Sequence, residues 1–382
     1  MIRDFCEFFA GGGMVRAGLG SGWRCVFAND FDHKKSRVYR DNWGDGELKT
    51  ADIKSLKTAD VPSTARLAWA SFPCQDLSLA GGGAGLKGDR SGTFWPFWKL
   101  MQGLIKEARA PQLVVLENVC GTLNSHGGKD FATICETVSD GGYSVGAIVV
   151  DASLFTPHSR PRLFIICPHE DLELPLRLIG TGPEDPWHTG TLHSAFKNLP
   201  QKVRRNWVWW SMPLPPKRTK SLSDLIEDDP QDVEWFTQDE TRNLIGMMSE
   251  LNREKLNEAK RKNRRIVGGL YRRTRHDENG HKVQRAEIRF DDISGCLRTP
   301  AGGSSRQVIL VVHGQSVKAR LISGRETARL MGLPESYALP ENYNEAYHLT
   351  GDGVVVPVVR HLAEHIFEPI LDAAKPGTTI AA

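Results

Sequence analysis

The first strand predicted from the sequence, residues 4–9, leads into a glycine-rich turn, Phe8-Phe9-Ala10-Gly11-Gly12-Gly13. Glycines at a strand-to-helix turn let a ligand approach the backbone closely, with the N-terminus of the next helix behind it. The spacing is not G-x-G-x-x-G, which disfavours a dinucleotide site. By itself such a turn is also compatible with a purely structural role, so the choice between a ligand site and a structural turn depends on the neighbouring elements.

Short apolar strands alternate with amphipathic stretches over the first 170 residues. The predicted strands are residues 4–9, 24–29, 67–71, 113–117, 143–151 and 162–167. The predicted helices between them are residues 12–20, 34–43, 94–108 and 129–141, and two more are predicted near the C-terminus, residues 324–331 and 357–374. The alternation predicts an α/β fold with a parallel, doubly wound sheet, in which ligands bind at the carboxyl ends of the strands.

Acidic residues follow the second strand and the helix after it, in Asp30-Phe31-Asp32 and Ala51-Asp52-Ile53. Asp30 is placed to accept hydrogen bonds from a ribose, and Asp52 could bind an exocyclic amine. These positions favour an adenosine-type ligand across the strand ends over a purely structural turn.

A cysteine and a glutamate follow the next two strands. Phe72-Pro73-Cys74-Gln75 puts a thiol at the ligand-binding edge, where only a few per cent is thiolate at neutral pH unless the site lowers its pKa from about 8.5. Glu117 could contact a ring nitrogen and an exocyclic amine of a base. Further on, Arg160 and Arg162 offer guanidinium groups that could orient a carbonyl or a phosphate.

Composition limits the class of protein. The chain has 382 residues, 40% hydrophobic and 25% charged, which suits one large and one smaller domain of a soluble protein. No apolar run approaches the roughly 18 residues that span a bilayer, and no signal-peptide pattern opens the chain, so we expect a cytoplasmic location. The seven cysteines include no C-x-x-C pair, so we predict neither disulfides nor a metal site.

Basic residues are concentrated although the net charge is only +3. Residues 253–275 contain ten basic side chains against Glu254 and Glu258, an excess that suits a polyanion. A solvated helical face over residues 253–265 is the alternative.

These motifs, in this order, resemble those of the DNA cytosine-C5 methyltransferases. The resemblance is carried by Phe9-Ala10-Gly11-Gly12-Gly13, Pro73-Cys74-Gln75, Asp89-Arg90-Ser91-Gly92-Thr93, Glu117-Asn118-Val119, Arg160-Pro161-Arg162, the segment from Arg325 to Pro334, and Gly351-Asp352-Gly353-Val354. Departures from the family pattern are His158 for a glutamine, Asp352 for an asparagine and Met14 for a glycine.

The resemblance implies a Rossmann-like, S-adenosylmethionine-dependent methyltransferase fold with a smaller target-recognition domain. The implied parts are a catalytic domain (1–175), a DNA-binding domain (176–344) and C-terminal helices that return to the catalytic domain (345–382). The implied activity is methylation of a flipped-out cytosine in a specific duplex sequence through an adduct between Cys74 and C6, as the modification enzyme of a restriction–modification system.

The resemblance also implies site residues. Cys74 would be the nucleophile, Glu117 would hold N3 and N4 of the base, and Arg160 and Arg162 would position its carbonyl, with Arg162 the more structural of the two. The implied cofactor contacts are Phe9, Gly11, Gly13, Asp30, Phe31, Asp52, Ile53, Pro73 and Phe94. The implied DNA contacts are Ser78, Arg90, Arg272, Arg273, Arg275, Gly302 and Gly303.

Other functions compete with this interpretation. A methyltransferase of the same fold acting on RNA is one, and a binding protein that has lost the chemistry is another, although Cys74 and Glu117 argue against the latter. The glycine spacing disfavours a dehydrogenase. We expect double-stranded DNA as partner, a monomer, and any cognate nuclease on a separate chain. Trp207, Trp209 and Trp210 are expected in the core of the smaller domain rather than as base-stacking platforms.

Overall fold

The computed structural model describes residues 2–61, 65–73, 91–298 and 306–374. The chain divides into two compact units. The larger unit consists of Met1–Asp151, Pro161–Pro215 and Val358–Ala382, and the smaller consists of Ala152–Arg160 and Pro216–Pro357.

The strands and helices of the described residues are as follows. The strands are β1 (Arg3–Phe8), β2 (Trp23–Asp30), β3 (Leu48–Thr50), β4 (Leu67–Ala70), β5 (Leu113–Val119), β6 (Val145–Asp151), β7 (Pro161–Pro168), β8 (Ile179–Gly180), β9 (Trp207–Trp210), β10 (Ile266–His276), β11 (Lys282–Arg289), β12 (Val308–His313) and β13 (Ser316–Leu321). The α-helices are α1 (Met14–Leu19), α2 (His33–Trp43), α3 (Phe94–Lys106), α4 (Lys129–Asp140), α5 (Gly190–Lys197), α6 (Gln201–Arg205), α7 (Leu222–Leu225), α8 (Gln238–Gly246), α9 (Glu250–Arg261), α10 (Gly324–Leu330), α11 (Tyr343–Asp352), α12 (Val356–Leu362) and α13 (Glu368–Ala373), and a π-helical turn, Ala363–Phe367, joins the last two.

The larger unit is built on one sheet, with the strand order β3-β2-β1-β4-β5-β7-β6-β9-β8. Strands β1 to β5 pair in parallel, which confirms the predicted α/β class. The predicted strand 162–167 is present as β7, but it runs antiparallel to both β5 and β6. The reason is the connection: only residues 152–160 separate β6 from β7, fewer than the dozen or so that a parallel crossover needs.

The central strands of this sheet are buried on both faces. All four residues of β4, Leu67-Ala68-Trp69-Ala70, are buried, as expected for a strand covered by helices on either side. Helix α3 contributes a stripe of buried residues at helical spacing: Phe94, Phe97, Trp98, Leu100, Met101 and Leu104. No helix in the described part of the chain is long and apolar enough to cross a membrane.

The three clustered tryptophans belong to the larger unit, so the prediction that they form the core of the smaller domain is wrong. Strand β9 carries Trp207, Trp209 and Trp210, and it pairs with β6. Trp210 leaves no room for a side chain at Gly146 on β6, because a Cβ there would lie 2.4 Å from Nε1 of Trp210. Since β8 and β9 extend the large sheet, the first unit reaches residue 215 rather than the predicted 175.

The smaller unit contains a four-stranded sheet in the order β11-β10-β12-β13, with every neighbouring pair antiparallel. One face packs against α8 and α9 through buried residues such as Leu244, Leu256, Leu270 and Ile288. Along β11 the buried Ala286 and Ile288 alternate with less buried residues, whereas β10 is buried from Val267 to Leu270 and exposed from Arg272 to His276.

A buried ion pair lies at the end of β13 in the same unit. Nη1 and Nη2 of Arg320 contact the two carboxylate oxygens of Glu326 at 2.8 and 2.6 Å, and neither side chain is exposed. Glu326 also accepts from the backbone N–H groups of Ser323 and Glu227. The carboxylate is therefore fully bonded, which a buried charge requires.

Candidate active site

The turn after β1 has a backbone that most residues avoid. Phe9, Gly11 and Gly13 have φ values of 59°, 55° and 78°. A bulky residue with positive φ, such as Phe9, is uncommon, and such strained positions concentrate at ligand sites. A Cβ on Gly13 would lie 2.4 Å from Nε1 of Trp43, whereas a Cβ on Gly11 would meet nothing within 4 Å. Gly13 is thus required by packing, and Gly11 borders open space.

Asp30 ties this turn to the end of β2. Its Oδ2 accepts from the backbone N–H of Gly11 at 2.8 Å, and its Oδ1 accepts from that of Asp32 at the same distance. Burial raises the pKa of the carboxyl, while Lys35 and these backbone donors oppose the rise. A carboxylate oxygen has two lone pairs, so the predicted ribose contact is compatible with this bracing role.

The other predicted cofactor residues differ in exposure. Phe31 is 67% exposed, unusual for a phenylalanine, and follows directly on β2. Asp52 caps a short helical turn by accepting from the N–H of Lys54, and Ile53 is buried beneath it. Phe94 is fully buried between Phe72 and Trp98. A ligand cannot reach its ring in this conformation, so the structure disfavours the predicted contact of Phe94 with the cofactor.

Sequence reasoning overlooked Glu7 on β1. This side chain is 1% exposed and accepts from the backbone N–H groups of Val15 and Arg16 at the start of α1. Burial raises its pKa to about 8. Glu7 therefore fixes α1 behind the turn. The available signal was one acid within an apolar strand, Phe5-Cys6-Glu7-Phe8, where a charged side chain needs a partner.

Glu117 and Arg162 lie together on neighbouring strands. In the antiparallel register of β5 and β7, Val119 faces Arg162, so Glu117 and Arg162 are diagonal neighbours on one face of the sheet. Nε of Arg162 is 3.3 Å from Oε1 of Glu117, and both side chains are largely buried. The guanidinium can thus orient the carboxyl group at the end of the sheet.

Asn118 points to the opposite face and ties down the segment that leads to Cys74. Its Nδ2 donates to the carbonyl of Phe72 at 3.1 Å, and its Oδ1 accepts from Thr122 and from the N–H of Val119. Phe72 is buried and Pro73 is half-buried. The predicted site residues Cys74, Ser78, Arg90, Gly302 and Gly303 lie outside the described residues.

Five of the six other cysteines can be compared as nucleophiles through the pKa of their thiols. Burial raises the pKa of Cys6, Cys135 and Cys167 well above the ordinary value, and that of Cys25 to about 12. Cys120 follows β5 close to Arg162, which lowers its pKa, but burial outweighs this and raises it to about 11. These five thiols are therefore protonated near neutral pH and unsuited to attack.

Arg160 belongs to the smaller unit and is 2% exposed. Its Nη2 donates to the carbonyls of Gly351 and Gly353 at 2.7 Å, and its Nη1 donates to that of Leu297 at 3.2 Å. The sequence-based expectation made Arg162 the more structural of the two arginines. The structure favours the reverse, because Arg160 binds backbone carbonyls whereas Arg162 contacts Glu117.

The three arginines predicted to touch DNA lie on β10. Arg272, Arg273 and Arg275 are all exposed. Because side chains alternate along a strand, Arg273 and Arg275 share one face and Arg272 lies on the other. Glu287 of β11 pairs with both Arg273 and Arg275.

Comparison with known proteins adds independent evidence. A family profile described as "C-5 cytosine-specific DNA methylase" matches residues 3–368. The Type II methyltransferase M.Bsp6I of Bacillus sp. (strain RFL6) is 25% identical over 381 residues, 97% of this chain and 100% of its own length. M.HhaI of Haemophilus parahaemolyticus, also a Type II methyltransferase, is 25% identical over 95% of this chain and 93% of its own.

Solved structures share the fold. The Entamoeba histolytica methyltransferase EhMeth superposes with a TM-score of 0.62 at 13% identity, covering 98% of this chain and 100% of its own. The S. pombe Dnmt2 methyltransferase gives 0.57 at 17% identity, with 97% and 99% covered.

Proposed function

The chain belongs to the C-5 cytosine-specific DNA methylase family and is a DNA cytosine-C5 methyltransferase, and we propose that it works through a covalent bond between Cys74 and C6 of a flipped-out cytosine. The observation that carries this proposal is the ion pair between Glu117 and Arg162 near the end of β5. The next residue, Asn118, is hydrogen-bonded to Phe72, which lies two residues before Cys74 in the sequence. The raised pKa values of the thiols of Cys6, Cys25, Cys120, Cys135 and Cys167 disfavour these five cysteines as the nucleophile.

The larger unit fits S-adenosylmethionine as methyl donor. Gly11 borders open space, and the ring of Phe31 is exposed for stacking on adenine. Asp30 ends β2 and Asp52 follows the neighbouring parallel strand β3, so both lie at the same end of the sheet. Phe9, Gly13, Ile53 and Pro73 would complete the contacts, Gly13 by shaping the turn. When bound, this donor supplies a methyl group on a sulfonium centre, which an electron-rich carbon can take.

The protein's part in the chemistry is to make C5 electron-rich. The Cys74 thiolate adds its electron pair to C6, which breaks the C5–C6 double bond and moves density to C5. Glu117 holds the N3 and N4 edge and stabilises the ring as charge develops, and Arg162 keeps that carboxyl in place. After methylation, a base removes the C5 proton, the double bond re-forms, and the thiolate leaves with its electron pair.

The substrate we propose is double-stranded DNA. A base stacked in a duplex has to be flipped out at a cost of a few kcal/mol before a thiol can reach C6. Both relatives described above are named Type II methyltransferases, and by analogy we propose that this enzyme acts as a monomer in the cytoplasm as the modification half of a restriction–modification system, with any nuclease on a separate chain.

Covalent trapping tests the mechanism. The full-length protein is incubated with S-adenosylmethionine and duplex DNA in which cytosine is replaced by 5-fluorocytosine. Because fluorine at C5 cannot leave as a proton, the adduct should persist on a denaturing gel. We expect a DNA-linked protein band with the wild type, none with Cys74→Ser, and an undiminished band with Cys120→Ser. A band of wild-type intensity with Cys74→Ser would overturn the proposed nucleophile.

A further inference from the structure

The hairpin of β10 and β11 has one face in the core of the smaller unit and an opposite face that carries four arginines. Leu270, Ala286 and Ile288 point into the core of the smaller unit. The opposite face, called here the arginine face, is made by Tyr271, Arg273 and Arg275 of β10 with Arg285, Glu287 and Arg289 of β11, assigned from the register of the two strands.

The charges on the arginine face do not balance. Arg273 lies directly opposite Arg285 in the register, and like charges in that position destabilise a strand pair. Glu287 is the only acid in either strand, both of which are described throughout. Arg289 pairs with Asp291, and among the described residues Arg285 has no carboxylate within ion-pair distance. A face that costs folding energy and keeps a positive excess suits a polyanion.

Glu287 organises the centre of this face. Its Oε1 accepts from Nε of Arg275 at 2.7 Å, and its Oε2 is 3.3 Å from Nε of Arg273. A guanidinium has five N–H donors, so Arg273 can keep this contact and still present two terminal nitrogens. Arg273 also packs over the ring of Tyr271, whose hydroxyl donates to the Cys296 carbonyl. Glu287 and the Tyr271 ring therefore both restrict the position of the Arg273 guanidinium.

A carboxylate in the middle of the cluster argues for base contacts over phosphate contacts. A phosphate would be repelled by Glu287, whereas the N4 amine of cytosine donates to a carboxylate and guanine O6 and N7 accept from arginine. The bidentate partners of adenine, asparagine and glutamine, are absent from this face. Gln284 lies on the other face, bonded to Thr274. A two-stranded ribbon has the right width for the major groove.

We propose that the arginine face reads G·C base pairs in the major groove, with Arg273 and Arg275 on guanine and Glu287 as the residue that positions both and accepts from cytosine. This proposal rests on the proposed function, because it takes duplex DNA as the substrate. It names the base pairs that flank the target cytosine, and it separates Arg273 and Arg275 from Arg272, which lies on the core side of the strand.

Methylation mapping tests the proposal. The full-length enzyme is incubated with S-adenosylmethionine and a random-sequence duplex library, and protected cytosines are located by bisulfite sequencing. We expect a motif that contains G·C pairs beyond the target cytosine. Arg273→Gln and Glu287→Gln should relax the preference at one or two of these positions by about 10- to 100-fold, the discrimination that a bidentate contact provides.

A matched control is Arg242→Gln, an exposed arginine of α8 that is ion-paired with Asp239. This variant should keep the wild-type motif. A wild-type motif without G·C pairs beyond the target would overturn the inference and leave the methyltransferase function intact. Equal weakening of Arg273→Gln on all sequences, with a smaller salt dependence, would also overturn it by marking a phosphate contact. Absence of any methylation by the wild type would overturn both proposals.

Discussion

The sheet edge of the larger unit and the arginine face of the smaller one hold their polar groups in opposite ways. At the sheet edge, Asp30, Asn118 and Glu7 are buried and bonded to backbone atoms, so their positions follow from the fold itself. On the arginine face, Arg275 and Glu287 are bonded to each other and remain partly exposed. The first arrangement is fixed before a ligand arrives, and the second is the one that we propose exchanges its partners for DNA.

The same contrast exists between two arginine–glutamate clusters within the smaller unit. The pair Arg320–Glu326 is completely buried and serves the fold, whereas Glu287 with Arg273 and Arg275 lies at the surface. Residue type therefore does not distinguish a buried cluster that serves the fold from one at the surface that could bind a partner. The two clusters differ instead in their burial and in the number of guanidinium N–H donors that remain available.

The largest expected effect is on chemistry at the sheet edge. Glu117→Gln should lower the single-turnover rate of DNA methylation by about 10²- to 10⁴-fold, the usual range for a group that moves or stabilises a proton in the transition state. Calorimetric binding of S-adenosylmethionine should stay within about twofold of wild type, because the residues proposed to hold it are separate. A rate close to wild type would remove Glu117 from the mechanism.

The two arginine–glutamate clusters should differ in stability. Arg320→Met leaves Glu326 buried and unpaired, and should lower the free energy of unfolding by about 3–5 kcal/mol. Glu287→Gln should change it by less than about 1 kcal/mol, because exposed pairs contribute little. Urea unfolding followed by circular dichroism measures both. Equal losses would contradict the distinction drawn between the two clusters.

Gly11 and Gly13, in the turn after β1, differ in what an added side chain would meet. Gly13→Ala places a Cβ against Trp43 and Tyr39 at positive φ, so we expect a loss of about 2–3 kcal/mol or more in stability. Gly11→Ala meets no neighbour and should cost only the conformational strain, about 1–2 kcal/mol. If Gly11 faces the cofactor, its variant should fold and yet bind S-adenosylmethionine more weakly. Wild-type affinity in a folded Gly11→Ala would exclude that contact.

The last expected effect concerns the pH dependence of stability through Glu7. Its pKa is raised from 4.5 to about 8, so between these values the folded chain binds more protons than the unfolded chain. This contribution to stability is complete below about pH 4.5 and is lost as the pH rises through 8. Glu7→Gln should therefore reduce the fall in Tm between pH 5 and pH 8.5. An unchanged slope in the variant would show that Glu7 does not titrate in this range.

Strand positions could be predicted where apolar runs end at polar residues, as at Asp30 and Glu117. The direction of β7 could be inferred only from the short connection before it. The role of Arg160 could not be predicted, because its partners Gly351 and Gly353 are almost two hundred residues away in the chain. The arginine face depends on the β10–β11 register, which no local pattern specifies, since β10 has arginines on both faces.

The central claim is that this enzyme methylates DNA cytosine at C5 with Cys74 as the nucleophile. It is tested most directly by bisulfite sequencing of duplex DNA after incubation with S-adenosylmethionine and either the wild type or Cys74→Ser. We predict protected cytosines within one short motif for the wild type and none for Cys74→Ser. The claim would be contradicted if a folded, cofactor-binding wild type protected no cytosine, or if Cys74→Ser protected the same cytosines.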